Sequence, residues 1–307
     1  MNMMKFVRNE RGSVMVLMAL ALTALIGFLA VVADVGLLYL NRTELVSMAD
    51  AAALAGARAL VPGLVSNSPA AEAQDLANRN GLKAGDGFAV NVTGNAVTVT
   101  VIRKVDLFFA PVLGIANSNV KATAKAAWGG PMSATGVVPF GVEKQEFRFG
   151  EPYILKEGGG GGTTGNYGGL ALGGNGANVY EFNIENGYSG VLHIGDQVPT
   201  KTGNMSGPTS EGVSYRMTQD PTATFPQGPD ANYNSPRIIT VPIIDSLDVN
   251  GHSLVTIVGF ADFFLDGVGG SGNDNYVTGR FVRMQKKGEG TPSTSAYFGL
   301  YDIKLVQ

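Results

Sequence analysis

The chain has 307 residues and no cysteine, and it carries a net charge of −3 with a pI near 5.5. The lack of cysteine excludes disulfides and cysteine nucleophiles, and because His193 and His252 are the only histidines, the metal sites built from histidine and cysteine are excluded as well. The slight acidity argues against a nucleic-acid partner, as does the lack of a basic cluster after residue 12 apart from the Arg283–Lys287 stretch.

The first predicted element is an apolar run from Ser13 to Ala33 that contains no charged residue. As an α-helix it is about 31 Å long, which matches a hydrocarbon core of about 30 Å and predicts a single transmembrane helix. The run exceeds the apolar region of a cleavable signal, about 7 to 15 residues, so a permanent or pilin-type anchor is favoured. Lys5, Arg8 and Arg11 precede it, which places residues 1–12 in the cytoplasm and the rest of the chain outside.

Asp34 follows the apolar run directly. Two interpretations are open: a buried functional carboxylate, or an interfacial residue that marks the end of the membrane. We favour the second, because burying an unpaired charge costs several kcal/mol whereas the membrane edge costs little.

Helical spacing of apolar residues continues beyond the span and predicts that the helix runs to about Leu60, before Pro62 and Gly63. Small residues at four-residue steps, Ala49, Ala53 and Ala57, would let another backbone or a sheet approach closely. This alanine stripe is interpreted as packing within one subunit, and the seam of a homo-oligomer remains the alternative.

The next segments predict a small α+β module over residues 34–128. Ser68 and Pro69 begin a second helix that ends before Gly81. Two strands, 88–92 and 97–101, are expected after it, joined by a Gly94-Asn95 turn. A short helix from Asp106 to Gly114, shortened by Pro111, should follow. A third strand, Val120–Ala126, should have one solvated face.

Most of the 43 glycines lie in residues 129–307, including a five-glycine run, Gly158–Gly162, that is expected to be a flexible loop. Alternating apolar segments and turn residues predict a mainly antiparallel β domain here. Its expected strands are Ile238–Ile244, Leu254–Phe260, Tyr276–Met284 and Tyr297–Val306.

No motif in the sequence carries a recognisable chemistry. His193 lies in Val191–Ile194 and is interpreted as a strand residue, and there is no Gly-x-Ser-x-Gly to support a hydrolase. The loop from Asp266 to Asn275 offers oxygen ligands for Ca²⁺, but its spacing departs from the EF-hand and an exposed hairpin loop has the same composition. Gly168–Gly176 lacks the phosphate-loop pattern and a clear following helix, and is interpreted as a strand connection. No catalytic, cofactor-binding or metal-binding residue is therefore assigned.

Three segments near the N-terminus together resemble TadG-like proteins of the Tad/Flp tight-adherence pilus system. They are Glu10–Ser13 with the apolar run, "ADVGLLYLNRTEL" at Ala33–Leu45 and "ADAAALAGARAL" at Ala49–Leu60. The resemblance covers roughly residues 8–60. It implies a membrane-tethered accessory or minor-pilin-like component of pilus assembly, with pilin-like subunits and other assembly proteins as partners.

One position departs from the pattern of prepilin-like relatives, which are cut after a glycine and carry Glu at the fifth position of the mature chain. Here Gly12-Ser13 would be the junction and the fifth position is Leu17. A fixed anchor is therefore favoured over a polymerising pilin.

The leading hypothesis is a single-pass protein in the cytoplasmic membrane of a bacterium, with an extracytoplasmic C-terminal region, which acts by structural contact without catalysis. The alternative is a membrane-tethered surface adhesin or carbohydrate- or calcium-binding module, with Gly-rich loops near Tyr167, Tyr180 and Tyr188 as the contact area. A third hypothesis, an extracellular hydrolase, would need His193 or His252 as its catalyst.

Overall fold

The computed structural model describes residues 10–158, 166–227, 231–249 and 251–306. The helices are α1 (Glu10–Arg58), α2 (Pro69–Arg79), α3 (Ala177–Asn186) and α4 (Ser206–Gln219), with 3-10 turns at Ala110–Leu113, Gly272–Asp274 and Thr294–Ala296. The strands are β1 (Gly87–Thr93), β2 (Ala96–Asp106), β3 (Asn117–Gly129), β4 (Ser133–Ala134), β5 (Val142–Glu143), β6 (Pro152–Lys156), β7 (Asn166–Leu170), β8 (Leu192–His193), β9 (Gln197–Thr202), β10 (Ile238–Ile244), β11 (Leu254–Gly269), β12 (Tyr276–Val282), β13 (Met284–Gln285) and β14 (Leu300–Leu305). The predicted α+β class is confirmed.

The N-terminal sheet has five strands in the order β1-β2-β3-β14-β13. Thr93 pairs with Ala96, so the predicted two-residue turn at Gly94-Asn95 is confirmed, and Gly94 has the positive φ of 59° that such a turn requires. Along β3, Val120, Ala122, Ala124 and Ala126 are buried, while the lysines between them are exposed. One face of the sheet is therefore solvated, as predicted.

Helices α1 and α2 cover the apolar face of this sheet. The second predicted helix is confirmed: the Ser68 hydroxyl accepts the Ala71 backbone N–H, and Pro69 occupies the first turn. The predicted helix between Asp106 and Gly114 is shorter than expected, because only Ala110–Leu113 forms a 3-10 turn around Pro111. Helix α1 ends at Arg58, two residues before the predicted end.

The last long strand of the chain completes the N-terminal sheet. β14 pairs antiparallel with β3, so that Ile303 lies opposite Trp128 and Asp302 opposite Gly129. Residues 34–128 alone therefore do not supply the whole sheet. The sequence predicts a strand in this region but not its partner, because strand pairing is not encoded in local alternation.

The second sheet follows the order β5-β10-β11-β12-β6, and β9 joins β11 to β7. The predicted strand Ile238–Ile244 coincides with β10, whereas β11 runs nine residues beyond the predicted end, Phe260, to Gly269. The predicted strands over Tyr276–Met284 and Tyr297–Val306 are shorter in the structure, as β12 and β14. Residues 159–162 of the five-glycine run lie outside the described residues.

Two helices, α3 and α4, lie in the region predicted to be a mainly antiparallel β domain, and neither helix is predicted from the sequence. They pack on each other and bury Tyr180, Ile184 and Val213 against the second sheet. A Cβ on Gly212 would lie 2.8 Å from Ile184, so this glycine sets the close approach of the helices. Both helices contain poor helix formers, and tertiary packing stabilises them instead.

Candidate membrane-anchoring site

The N-terminal half of α1 projects from the rest of the protein. Its most apolar stretch is not buried by any other part of the described chain, and the helix is long and apolar enough to cross a membrane. Leu17, Leu25 and Phe28 are 63%, 59% and 71% exposed. An apolar helix surface of this kind requires a non-aqueous environment or a protein partner.

The C-terminal half of the same helix is part of the protein core. Leu45, Met48 and the predicted alanine stripe, Ala49, Ala53 and Ala57, are buried against the sheet and α2. A Cβ on Gly56 would lie 2.8 Å from Val97 Cγ1 and 3.1 Å from the Pro69 carbonyl oxygen. The expected close approach of a sheet is therefore present, and the stripe packs within one subunit.

Asp34 lies at the boundary between these two halves. Its carboxylate accepts three backbone N–H groups from the β2–β3 connection: Phe108 on Oδ1 at 2.8 Å, and Phe109 and Ala110 on Oδ2 at 3.1 and 2.7 Å. These donors open the 3-10 turn at Ala110–Leu113, so Asp34 caps that turn from another element.

The preferred interpretation of Asp34, as a residue that merely marks the membrane edge, is wrong. Asp34 is only 6% exposed. Burial of a charge is costly when the charge is unpaired, and this cost was the reason to expect Asp34 at the membrane edge. The Asp34 carboxylate is instead hydrogen-bonded to three N–H donors, which offset the cost of its burial. Burial alone would raise the pKa of Asp34, but the hydrogen bonds from Phe108, Ala110 and Phe109 outweigh it and hold the pKa below the ordinary 3.8.

A second polar contact joins α1 to the sheet. The guanidinium of Arg103, on β2, donates to both oxygens of Asp86 at 3.1 and 2.8 Å and to Glu44 of α1 at 2.9 Å. It also donates to the Gly81 carbonyl oxygen at 3.0 Å. We call this group the Arg103 clamp, defined by Arg103, Asp86, Glu44 and Gly81.

The Arg103 clamp is a buried ion pair with one exposed partner. The side chains of Arg103 and Asp86 are each 5% exposed, whereas that of Glu44 is 62% exposed. Hydrogen bonding to Asp86 raises the pKa of Arg103. Burial raises the pKa of Asp86, but the hydrogen bonds from Arg103 and Lys83 lower it by more. Both groups are thus charged at neutral pH, and α1, β2 and the α2–β1 loop are held together.

The two histidines lie in separate surroundings. His193 lies on β8, as the strand interpretation predicted, and its ring nitrogens are 3.7 Å from Asp196 and 3.4 Å from Glu289. His252 contacts the Thr200 carbonyl oxygen through Nδ1 at 2.9 Å, which requires a hydrogen on that nitrogen. Neither contact pairs a histidine with a serine hydroxyl, the arrangement that the hydrolase hypothesis needs.

In the loop considered for calcium, the side chains at its two ends have protein partners. Asp266 lies on β11 and its carboxylate accepts from Arg280 at 2.9 Å, while the Asn275 amide donates to the Ser206 carbonyl oxygen. Within the described ranges, no three His, Cys, Asp or Glu residues cluster as a metal site would require.

The glycine-rich segment Gly168–Gly176 leads from β7 into α3, with Gly176 as the N-cap. The expectation that no helix follows it is therefore wrong. Of the tyrosines considered as a contact surface, Tyr180 is 1% exposed and packs in the core, so it cannot contact a surface ligand.

The Gly12-Ser13 junction lies inside α1 by backbone conformation, and Leu17 projects from the exposed apolar half. Lys5 and Arg8 lie outside the described residues. Sequence reasoning missed both the Asp34 contact and the Arg103 clamp. A signal was present for the latter: Arg103 is a charged residue at a position where alternation along β2 predicts the apolar face.

Two family models match the N-terminal part of the chain. Residues 12–59 match the family described as putative Flp pilus-assembly TadE/G-like. Residues 46–126 match the family described as putative Tad-like Flp pilus-assembly. The first match corresponds to α1, and the second adds α2 and the strands up to β3, so the predicted resemblance to Tad pilus-assembly proteins is confirmed for this region. No curated protein and no solved structure matches the chain.

Proposed function

We propose that the chain is a single-pass, outward-facing accessory or minor-pilin-like component of Tad/Flp pilus assembly, anchored in the cytoplasmic membrane. The two family matches support the role in pilus assembly. One observation carries the anchoring mode: α1 is a single continuous helix whose first half is exposed and apolar and whose second half is core.

The exposed half of α1 supplies the free energy of anchoring. Burying one large aliphatic or aromatic side chain contributes about 1.5–3 kcal/mol, and the apolar run presents many of them. In water this surface would drive aggregation, whereas in a bilayer it matches the hydrocarbon thickness. The basic residues before the run support an orientation with the sheets outside the cell.

The protein acts by contact, without catalysis. Because α1 crosses directly from the bilayer into the core, a force or displacement on the exported part is transmitted to the membrane helix without a flexible linker. Other pilus-assembly proteins can contact the span within the bilayer or the sheets outside it. The alanine stripe is occupied by the sheet and α2, so a homo-oligomer would use a different surface.

The anchor is tested by charged substitutions on the exposed faces of α1. Leu22→Lys combined with Ile26→Lys places two charges in the span, each unfavourable by about 2.5–3.5 kcal/mol at the helix centre. Both side chains are more than half exposed, so the fold itself is not disturbed. The variant should leave the alkali-washed membrane fraction, and cells carrying it should lose their pili.

Tyr39→Lys is the matched control, because Tyr39 is 70% exposed on the same helix but lies beyond the apolar run. It should remain with the membranes. Retention of the doubly charged variant in the membrane would contradict the proposal.

The anchor is also proposed to be permanent. Leu17 stands where processed pilins carry the Glu that pairs with a neighbouring subunit, so cleavage after Gly12 would not create that pairing. N-terminal sequencing of the membrane-extracted protein should give Met1 or Asn2. A start at Ser13 would indicate a processed, pilin-like subunit instead.

A further inference from the structure

The connection between β2 and β3 has a composition that exposed turns rarely have. Residues Leu107–Ala116, which we call the apolar tip, read LFFAPVLGIA and contain no charged or polar side chain. Phe108, Val112 and Leu113 are 75%, 88% and 78% exposed. A contiguous exposed apolar patch of this kind marks an interaction site rather than an ordinary solvent-facing loop.

The apolar tip lies at the membrane-proximal end of the sheet. Gly56 contacts Val97 near the start of β2, and Asp34 binds the amides that follow its end. The helix from Asp34 to Gly56 and the strand from Val97 to Phe108 have similar lengths. About 22 helical residues extend about 33 Å, and about 11 strand residues extend about 36 Å. Strand β2 therefore runs along α1 towards the apolar run. The apolar tip, which follows β2, lies beside Asp34, the first residue after that run.

Many backbone N–H groups of the apolar tip have hydrogen-bond acceptors within the protein, which lowers the cost of placing the tip in a low-dielectric environment. Asp34 accepts the N–H groups of Phe108, Phe109 and Ala110. Within the tip, Leu107 donates to Ala116, Val112 to Phe109, Gly114 to Pro111 and Ile115 to Ala110. An unsatisfied backbone group costs several kcal/mol in lipid, so satisfied donors are what a lipid-facing loop requires.

We propose that the apolar tip inserts into the outer interface of the lipid bilayer next to α1, as a second and shallow membrane contact. The proposal rests on the anchoring of α1 described above. Lipid is the occupant because the tip is bound to Asp34, the first residue after the apolar run, and Val35 next to it is also exposed. Two contacts fix the rotation of α1 about its own axis, which one helix alone leaves free.

Fluorescence depth measurements on the full-length chain test the insertion. The protein has no cysteine, so Val112→Cys introduces a single site for an environment-sensitive dye, and its exposure means that the substitution removes no packing. The chain is reconstituted in phosphatidylethanolamine–phosphatidylglycerol vesicles with or without nitroxide-labelled lipids. The dye at residue 112 should emit at shorter wavelength than in water and be quenched by lipid nitroxides near the headgroups.

Two other sites make the result specific. Thr93→Cys, exposed at the opposite end of the sheet, should emit as in water without quenching. Leu25→Cys, in the middle of the span, should be quenched by deep nitroxides.

Three outcomes would overturn the proposal. A quenched dye at residue 25 with an aqueous, unquenched dye at residue 112 would refute the tip insertion and leave the anchor intact. A dye at residue 112 that is shielded from water but not quenched by lipid would show that protein, such as a second copy of the chain, covers the tip. An unquenched dye at residue 25 would refute the anchor and the tip insertion together.

Discussion

Asp34 and Ala110 are 76 positions apart in the chain, yet the Asp34 carboxylate accepts the Ala110 backbone N–H at 2.7 Å. The contact joins the point where α1 leaves the apolar run to the turn that connects two strands. It makes the first residue after the apolar run a structural part of the folded N-terminal module. Helix α1 and the sheet are consequently coupled at the end of the apolar run as well as in the core.

Removing the Asp34 carboxylate should release the turn it caps. In Asp34→Ala the amides of Phe108, Phe109 and Ala110 lose their acceptor, and we expect their hydrogen exchange to accelerate by about one order of magnitude or more. Exchange measured by mass spectrometry on the detergent-solubilised chain reads this directly. Asp106→Ala, which removes an exposed carboxylate nearby, should leave the three amides protected. Equal acceleration in both variants would contradict the capping role.

The same carboxylate predicts a dependence of stability on acid pH. Because the native pKa of Asp34 lies below its unfolded value near 3.8, its ionised form stabilises the fold above pH 3.8. That contribution is lost as the pH falls through the lower native pKa. The difference in urea midpoint between the native chain and Asp34→Asn should be constant above pH 3.8 and shrink below it. A difference that grows on acidification would have the wrong sign.

The Arg103 clamp should be the most sensitive polar contact in the N-terminal module. Arg103→Met leaves the buried carboxylate of Asp86 without its partner, and we expect a loss of about 3–5 kcal/mol in the free energy of unfolding. The matched control is Arg79→Met, because Arg79 and Asp75 form an ion pair whose side chains are 71% and 54% exposed. That substitution should change stability by about 0–1 kcal/mol. Comparable losses in urea titrations of both variants would count against the clamp.

Gly56 tests the packing of α1 on the sheet. A Cβ at this position would meet Val97 at 2.8 Å, so Gly56→Leu should force the helix and sheet apart and destabilise the fold by about 1–3 kcal/mol. Gly36 lies on the same helix, and a Cβ there would have no neighbouring atom within 4 Å, so Gly36→Ala should be neutral or stabilising by about 0.5–1 kcal/mol. Thermal unfolding of the two variants in the same detergent distinguishes these effects. A tolerated Gly56→Leu would contradict the close packing of α1 on the sheet at this position.

The N-terminal module could be predicted from local signals because each of its elements carries one. Ser68 and Pro69 mark a helix start, Gly94-Asn95 marks a hairpin, and the alternation of Val120 to Ala126 marks a half-buried strand. These signals act over a few residues, so a sequence pattern contains them completely. The same holds for the length of the apolar run.

What the sequence could not predict depends on contacts between distant residues. Helices α3 and α4 contain glycine, proline and asparagine, and they are stabilised by Tyr180, Ile184 and Val213 rather than by intrinsic propensity. The pairing of β14 with β3 has no local signature. The environment of Asp34 could not be predicted either, because its partners are backbone amides, which every residue except proline provides.

Site-specific labelling in intact spheroplasts shows whether α1 crosses the membrane and continues into a folded region outside it. A membrane-impermeant maleimide should react with Thr93→Cys in intact spheroplasts, and with Asn9→Cys only after the membrane is permeabilised. Reaction at residue 9 without permeabilisation, or protection of residue 93 until permeabilisation, would contradict the account.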